Sequence, residues 1–245
     1  MTTAPIPPAP AGRPQPAERP TVAAFDFDGT LTRGGSVLPF LVAVRGPVPT
    51  AVAVLRSLPG LIRGALFSGA AADDTKEALF ADLLSGLPAQ EVERLAADFA
   101  DHHLRRRIRR DARDRLDWHR KQGHRVVVVS ASPDLYVGPA ADMLGADAAL
   151  ATRLAVSGHL LTGRYEGKNC RGPEKYARLS GWLRSEGLNG AGPNAPVLWA
   201  YGNSRGDLRL LQAADHGVDA GRLGRFGRLR RFRRLATVVA EAPPA

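Results

Sequence analysis

The sequence predicts an α/β fold with a doubly wound, mainly parallel sheet and a helical cap domain inserted after the first strand. Three observations lead there. Short apolar runs at Val22–Phe25, Arg125–Ser130 and Val197–Tyr201 each end in polar, turn-forming residues, the pattern of buried strands that deliver side chains at their carboxyl ends. The second and third runs are each followed by a helical segment, so strand, loop and helix recur, and a Rossmann-like parallel sheet follows from that order. Between the first run and the second, from Val37 to about Arg120, the spacing is helical throughout. A chain of 245 residues with 44% hydrophobic content can bury such a core together with a smaller domain.

Taken in order, residues 1–20 are rich in Pro and Ala and lack a continuous apolar stretch, which reads as a disordered leader rather than a secretory signal. The run Val22-Ala23-Ala24-Phe25 is a buried strand that hands Asp26 and Asp28 to a loop, where Gly29 permits the turn. Residues 35–110 form the cap, in which Leu79, Leu83, Leu87, Val92, Leu95 and Phe99 recur at helical spacing, with Gly60, Gly64, Gly86 and Pro88 as breaks. The core then comprises residues 21–34 and 111–220. Four valines carry the second strand to Ser130, and Ser132-Pro133-Asp134 reads as the cap and first turn of a helix through Leu144. Segments Ala149–Val156 and His159–Tyr165 flank Ser157-Gly158 as a hairpin. Pro173 opens a helix to about Arg184, a Gly/Asn/Pro loop precedes the third strand, and Gly202-Asn203-Ser204 turns into a helix from about Asp207 to Ala213. Residues 221–245 form a basic tail in which arginines alternate with Leu223, Phe226, Leu229 and Phe232. That tail reads as solvated, as packed on the core, or as a contact for an anionic surface.

Charge and cysteine content set the class of partner. Thirty-four Lys+Arg against 24 Asp+Glu give a formal net charge of +10, which favours a phosphorylated metabolite, an anionic membrane surface or nucleic acid without choosing among them. The apolar stretch Val37–Phe67 is interrupted by Arg45, Arg56 and Arg63, so it is read as non-spanning. A single cysteine, Cys170, excludes an intrachain disulfide framework and suits the cytoplasm. His102 and His103 lack a second ligand set, and with the Arg105–Arg110 cluster they read as a solvated face.

Asp26-Phe27-Asp28-Gly29-Thr30 is the strongest chemical signal. Two carboxylates two residues apart at a strand end cost several kcal/mol to bury unless a cation or donors offset them. Mg²⁺ fits, because it takes hard oxygen ligands and commonly uses one or two carboxylates together with substrate phosphate. Asp26 then suits a nucleophile, and Asp28 a general acid and base. Ser130 and Lys175 read individually as a strand end and a solvated helix residue; their order and placement at strand ends give them weight.

The run Asp26–Thr30 resembles the first motif of the haloacid dehalogenase superfamily, and the others follow in family order. Ser130, in Val129-Ser130-Ala131-Ser132, is similar to the second motif, which implies phosphate binding through its hydroxyl and nearby backbone N–H groups. Lys175, in Asn169-Cys170-Arg171-Gly172-Pro173-Glu174-Lys175, resembles the third motif of the phosphoserine-phosphatase-like branch, which implies neutralisation of phosphate and nucleophile. Tyr201-Gly202-Asn203-Ser204-Arg205-Gly206-Asp207 is similar to the fourth, metal-binding motif. The resemblance implies a Mg²⁺-dependent phosphomonoester hydrolase working through an aspartyl-phosphate on Asp26, with Asp26, Asp28, Asn203 and Asp207 at the metal.

Two departures stand out. Asn203 replaces the aspartate that usually begins the fourth motif, which removes a charge and predicts weaker metal affinity. Gly35 stands where phosphoserine phosphatases of this branch carry an ammonium-recognising glutamate, which argues against phosphoserine. A small phosphorylated metabolite is the expected substrate. A lipid phosphate reached at an anionic membrane surface through the cap or tail, and phosphoryl transfer to an acceptor other than water, are the alternatives. A non-catalytic nucleic-acid-binding role leaves the strand-end carboxylates unexplained.

Overall fold

A computed structural model describes residues 19–66, 69–188, 195–221 and 231–241. The leader, apart from Arg19 and Pro20, and the arginines of 222–230 lie outside the described residues.

Strand β1 (Thr21–Phe25) alternates strictly: Val22 and Ala24 point to one face, Ala23 and Phe25 to the other, all fully buried. Burial on both faces marks a central strand, and β1 pairs in parallel with β2 (Arg125–Pro133) on one side and β6 (Val197–Gly202) on the other. With β3 (Ala148–Thr152), β7 (His216–Asp219) and β8 (Arg233–Arg234) the sheet has six strands, in the order β3-β2-β1-β6-β7-β8. Every pairing in it is parallel. Helices α7 (Pro173–Ser185) and α8 (Leu208–Ala213) cover the Val22 face through Leu179, Leu183, Leu210 and Leu211. Helices α5 (Arg110–Lys121) and α6 (Asp134–Leu144) contribute Leu116, Tyr136 and Val137 to the other face. Beneath β6, Tyr201 stacks on Phe25 with ring centroids 4.2 Å apart, and its hydroxyl meets Arg115 Nε and His119 Nε2, both at 2.7 Å. That fixes β1 and β6 side by side at the strands that matter most below.

The helices after β1 are α1 (Val37–Arg45), α2 (Pro47–Leu66), α3 (Gly69–Leu84) and α4 (Ala89–Phe99). The chain enters and leaves this insert as a short antiparallel ribbon. Thr32 bridges Ile108, Arg33 N donates to Arg107 O at 2.8 Å, and Arg109 N donates to Leu31 O at 2.8 Å. The expected hairpin is present as β4 (Leu154–Ser157) and β5 (Leu160–Tyr165), but Ala149–Thr152 pairs with β2 instead. One apolar run thus serves two sheets, parted at Arg153, a division that local alternation does not encode.

Three expectations are corrected. The Arg105–Arg110 cluster is not uniformly solvated: Arg105, Arg106 and Arg110 are exposed, but Arg109 is only 3% exposed. Its Nη1 donates to Gly29 O at 2.8 Å and Ala220 O at 2.6 Å, and its Nη2 pairs with Asp111 at 2.7 Å. Ser132 does not cap α6; the residue before the helix is Pro133, with no side-chain cap. Nor do all of residues 221–245 form a solvated tail. Arg233–Arg234 adds an edge strand to β7, and α9 (Leu235–Glu241) buries Leu235 and Val238 to 3% exposure each.

Truncation after Ala220 is therefore expected to lower thermal stability and activity together. Deleting Leu235 and Val238 loses their burial and uncovers the apolar surface they pack on, which costs about 3–6 kcal/mol. A melting temperature unchanged in the truncated chain refutes this role.

Candidate active site

The loop after β1 turns at Gly29, whose φ of +78° is a conformation that L side chains rarely adopt. A Cβ there would also lie 2.0 Å from Asn203 Nδ2, so glycine lets the first acidic loop pack directly on the turn after β6. A second close approach lies at Gly202, where a Cβ would come within 2.4 Å of Asp207 Cβ. These two glycines bring the β1 and β6 loops to one point beside the carboxyl end of β2.

There Asp26, only 6% exposed, meets the ammonium of Lys175 from the first turn of α7. Lys175 Nζ lies 2.5 Å from both Asp26 Oδ1 and Asp207 Oδ1, and Thr30 Oγ1 donates to Asp26 Oδ2 at 2.9 Å. Burial, reinforced by the Asp207 charge, pushes the Asp26 carboxyl up to about 7 against the opposing pull of Lys175 and Thr30. Burial alone would lower the Lys175 pKa; Asp207 and Asp26 outweigh it and hold the group above its ordinary value, so it is a fixed cation.

Asp207 is almost fully engaged by the protein. Its Oδ2 accepts from Asn203 N at 3.1 Å, Ser204 N at 2.9 Å and Ser204 Oγ at 2.8 Å, a reciprocal cap on the turn that leads into α8. Asp28 is placed differently: Ser132 Oγ donates to its Oδ2 at 2.7 Å, whereas the buried Oδ1 has no hydrogen-bond partner. Ser130, 1% exposed, accepts at Oγ from Ser132 N at 3.0 Å.

Asp26, Asp28, Ser130, Lys175, Asn203 and Asp207 all line one cavity of about 180 Å³. At roughly 30 Å³ per water molecule, it has room for about six waters, enough to admit a phosphate group. A larger depression of about 630 Å³ between Trp199, His216 and Phe232 contains none of these six residues and borders the segment outside the described residues.

Three further groups at the site escaped the sequence reading. Ser132 orients Asp28, and its signal was its place two residues after Ser130, on the same side of an extended strand. Arg171 lines the cavity and reaches Asp73 of α3 at 3.0 Å. Lys76, also on α3, donates to Ala131 O at 2.8 Å and Asn169 Oδ1 at 3.2 Å, so the insert touches the loop that carries Ser130. Burial lowers the Lys76 pKa to about 8. Its one legible signal was being a lysine at all, since only Lys76, Lys121, Lys168 and Lys175 occur among 34 basic residues.

Carboxylates and a buried lysine gather where neighbouring parallel strands end, the crevice in which open α/β sheets bind their ligands. The chain belongs to the haloacid dehalogenase-like hydrolase family, whose model matches residues 23–212. It is 37% identical to the protein CicA of Caulobacter vibrioides over 217 residues, covering 84% of this chain and 89% of that one. It is 30% identical to a probable phosphatase of Mycobacterium tuberculosis over 219 residues, covering 86% and 71% respectively. Among solved structures, a Bordetella pertussis Tohama I protein of unknown function superposes with a TM-score of 0.73 at 21% identity, covering 88% of this chain and 98% of that one. A phosphoserine phosphatase held as a phospho-aspartyl intermediate analogue shares the fold with a TM-score of 0.58 at 22% identity, covering 82% and 87%.

Proposed function

We propose that this hydrolase is a Mg²⁺-dependent phosphomonoesterase that carries the phosphoryl group on Asp26 and acts on a small phosphorylated metabolite in the cytoplasm. The observation that carries this reading is the pairing of a lysine-held carboxylate, Asp26, with a second carboxylate, Asp28, whose Oδ1 has no partner at the same cavity. The probable phosphatase of M. tuberculosis and the phospho-aspartyl analogue support it as relatives in sequence and in fold.

The donor set suits a hard cation. No group of three or more His, Cys, Asp or Glu among the described residues would cage a metal unaided. Mg²⁺ needs no such cage, since it keeps several waters and is held by one or two carboxylates together with substrate phosphate. Asp26 and the Asn203 amide oxygen would hold it together with substrate phosphate, and the Asp28 side chain, with its unpartnered oxygen, is kept for proton transfer beside them. When bound, it neutralises charge on the phosphoryl oxygens and helps keep Asp26 ionised. Asp207, which shares Lys175 with Asp26 and accepts from the Asn203–Ser204 turn, would hold the lysine and that turn in place at the metal site.

The chain's own residues then divide the work. Asp26 attacks phosphorus as the P–O bond to the leaving group breaks, and protonated Asp28 gives its proton to the departing oxygen. Asp28, now ionised, takes a proton from water, which attacks phosphorus and breaks the bond to Asp26. Lys175 and the Ser130 loop offset charge on the phosphoryl group throughout. Nothing at Gly35 reaches the cavity: it is exposed, and a Cβ there would meet no atom within 4 Å. An ammonium-bearing substrate therefore lacks its usual receptor there.

Release of inorganic phosphate from a panel of phosphorylated alcohols and sugars tests the reading. Activity should require Mg²⁺ and vanish in chelator; turnover that persists in chelator overturns the metal assignment, and no release from any ester overturns the proposal. Asn203→Asp is expected to lower the Mg²⁺ concentration giving half-maximal rate, by restoring a carboxylate to the set. An unchanged or higher concentration means that Asn203 is not a ligand.

A further inference from the structure

A helix on the surface of a folded domain ordinarily turns its polar face outward. Helices α1 and α2 bury Phe40, Leu41 and Ala53 in the core and are apolar on the outward side as well. Leu38, Val42, Val48, Val52, Leu55 and Leu58 are all exposed, from 39% for Val42 to 71% for Val48, and they make up six of the eight large exposed hydrophobic residues described. On α2 the spacing 48, 52, 55 is one helix stripe, opposite the buried Thr50 and Ala53. Exposed apolar residues concentrated on two successive helices in this way mark an interaction surface.

Its charge identifies the occupant. No acidic residue occurs between Asp28 and Asp73, whereas Arg33, Arg45, Arg56 and Arg63 do. Arg45 and Arg56, on the same two helices, are exposed. A second copy seated on this face in a self-complementary contact would set arginine against arginine, with no carboxylate from this stretch to offset them. An anionic lipid surface supplies both missing partners, acyl chains for the stripe and phosphate headgroups for the arginines. No helix among the described residues is long and apolar enough to cross a membrane, so the contact lies in the interface plane.

We infer that the α1–α2 face is a peripheral binding surface for anionic phospholipid membranes. The inference is independent of the phosphatase reading, because it uses none of the site residues.

Co-sedimentation of the full chain with phosphatidylglycerol/phosphatidylcholine vesicles, and with pure phosphatidylcholine vesicles, tests it at low and high salt. Binding is expected to the anionic vesicles only and to weaken with salt. The double variant Val48→Asp/Leu55→Asp should weaken it by at least about tenfold, since two apolar contacts become repelled charges. Arg45→Gln/Arg56→Gln, which leaves the apolar stripe intact, should weaken binding to anionic vesicles by several-fold. Circular dichroism of both variants should match the parent, and Asp26→Asn should bind as the parent does. Failure of the parent chain to bind anionic vesicles at low salt overturns the inference. So does undiminished binding by both double variants, which places the contact elsewhere, for instance on the basic segment after Gly221. A dimer in sedimentation analysis that Val48→Asp/Leu55→Asp dissociates, without vesicle binding by the parent, assigns the face to a second copy instead.

Discussion

Asp26→Asn is expected to lower turnover by at least about ten-thousandfold while leaving the fold intact, because an amide of nearly the same shape cannot attack phosphorus. The substitution is mild for the native state. Burial already pushes the Asp26 carboxyl up to about 7, so near neutral pH a neutral amide replaces a group that is itself partly neutral before a cation binds. Thr30 still has an oxygen to donate to, and Lys175 keeps Asp207. The measurement is initial rate on any ester the parent hydrolyses, alongside a thermal melt. Residual activity above about one-hundredth of the parent means that the reaction does not pass through this carboxylate.

Lys175→Met is expected to harm both rate and stability, which separates it from Asp26→Asn. Removing a preorganised cation that faces developing charge costs about a hundred- to a thousandfold in rate. Removing one partner of a buried ion pair typically costs about 3–5 kcal/mol, because the remaining charges stay desolvated; here Asp26 and Asp207 would face each other with no ammonium between them. The pH dependence gives this a sign. A carboxyl whose folded pKa lies above its unfolded value binds its proton more tightly in the folded state, so its stabilisation is complete below the unfolded pKa and lost as pH rises through the folded one. For Asp26 that window runs from about 4 to about 7 in the parent, and without Lys175 it extends further upward. The variant should therefore lose more stability at pH 8 than at pH 5, by denaturant or thermal melts at each pH. Equal losses at the two values would mean that the lysine acts by packing alone.

The sheet was legible because its central strands are buried on both faces: β1, β2 and β6 read as unbroken apolar runs. The edge was not. His216–Asp219 and Arg233–Arg234 are too short and too polar to show a period, and they join the sheet only because tertiary contacts with β6, α8 and α9 hold them there. At the site, Asp26 and Asp28 were legible from their own pattern at a strand end, whereas Ser130, Lys175, Asn203 and Asp207 became legible only through the order of motifs in which they stand; all six line one cavity. Arg109 and Lys76 were not legible for the opposite reason. Each acts across a long sequence separation, Arg109 on Gly29 and Ala220, Lys76 on Ala131, and nothing local distinguishes them from the arginines and lysines that face water. Asp207 was readable as a residue of the fourth motif, but its bonds to Lys175 and to the Asn203–Ser204 turn were not, since they depend on the folded geometry.

The ribbon formed by Leu31–Arg33 and Arg107–Arg109 makes the helical insert a replaceable module. Its two ends are hydrogen-bonded neighbours, so any polypeptide whose termini lie side by side could be spliced there without altering the path of the core chain. Arg109 reinforces this by tying the ribbon to the backbone at Gly29 and Ala220, so the junction is anchored from the core side and does not depend on what is grafted into it. Chimeras exchanging residues 34–106 for the insert of another family member should keep the reacting carboxylates in place, provided that the new helices cover the apolar surface of α6 now buried against α4. Such chimeras are expected to change which esters are hydrolysed while phosphate release persists, as measured on a panel of phosphate esters; an unchanged preference would mean that the insert does not select the substrate.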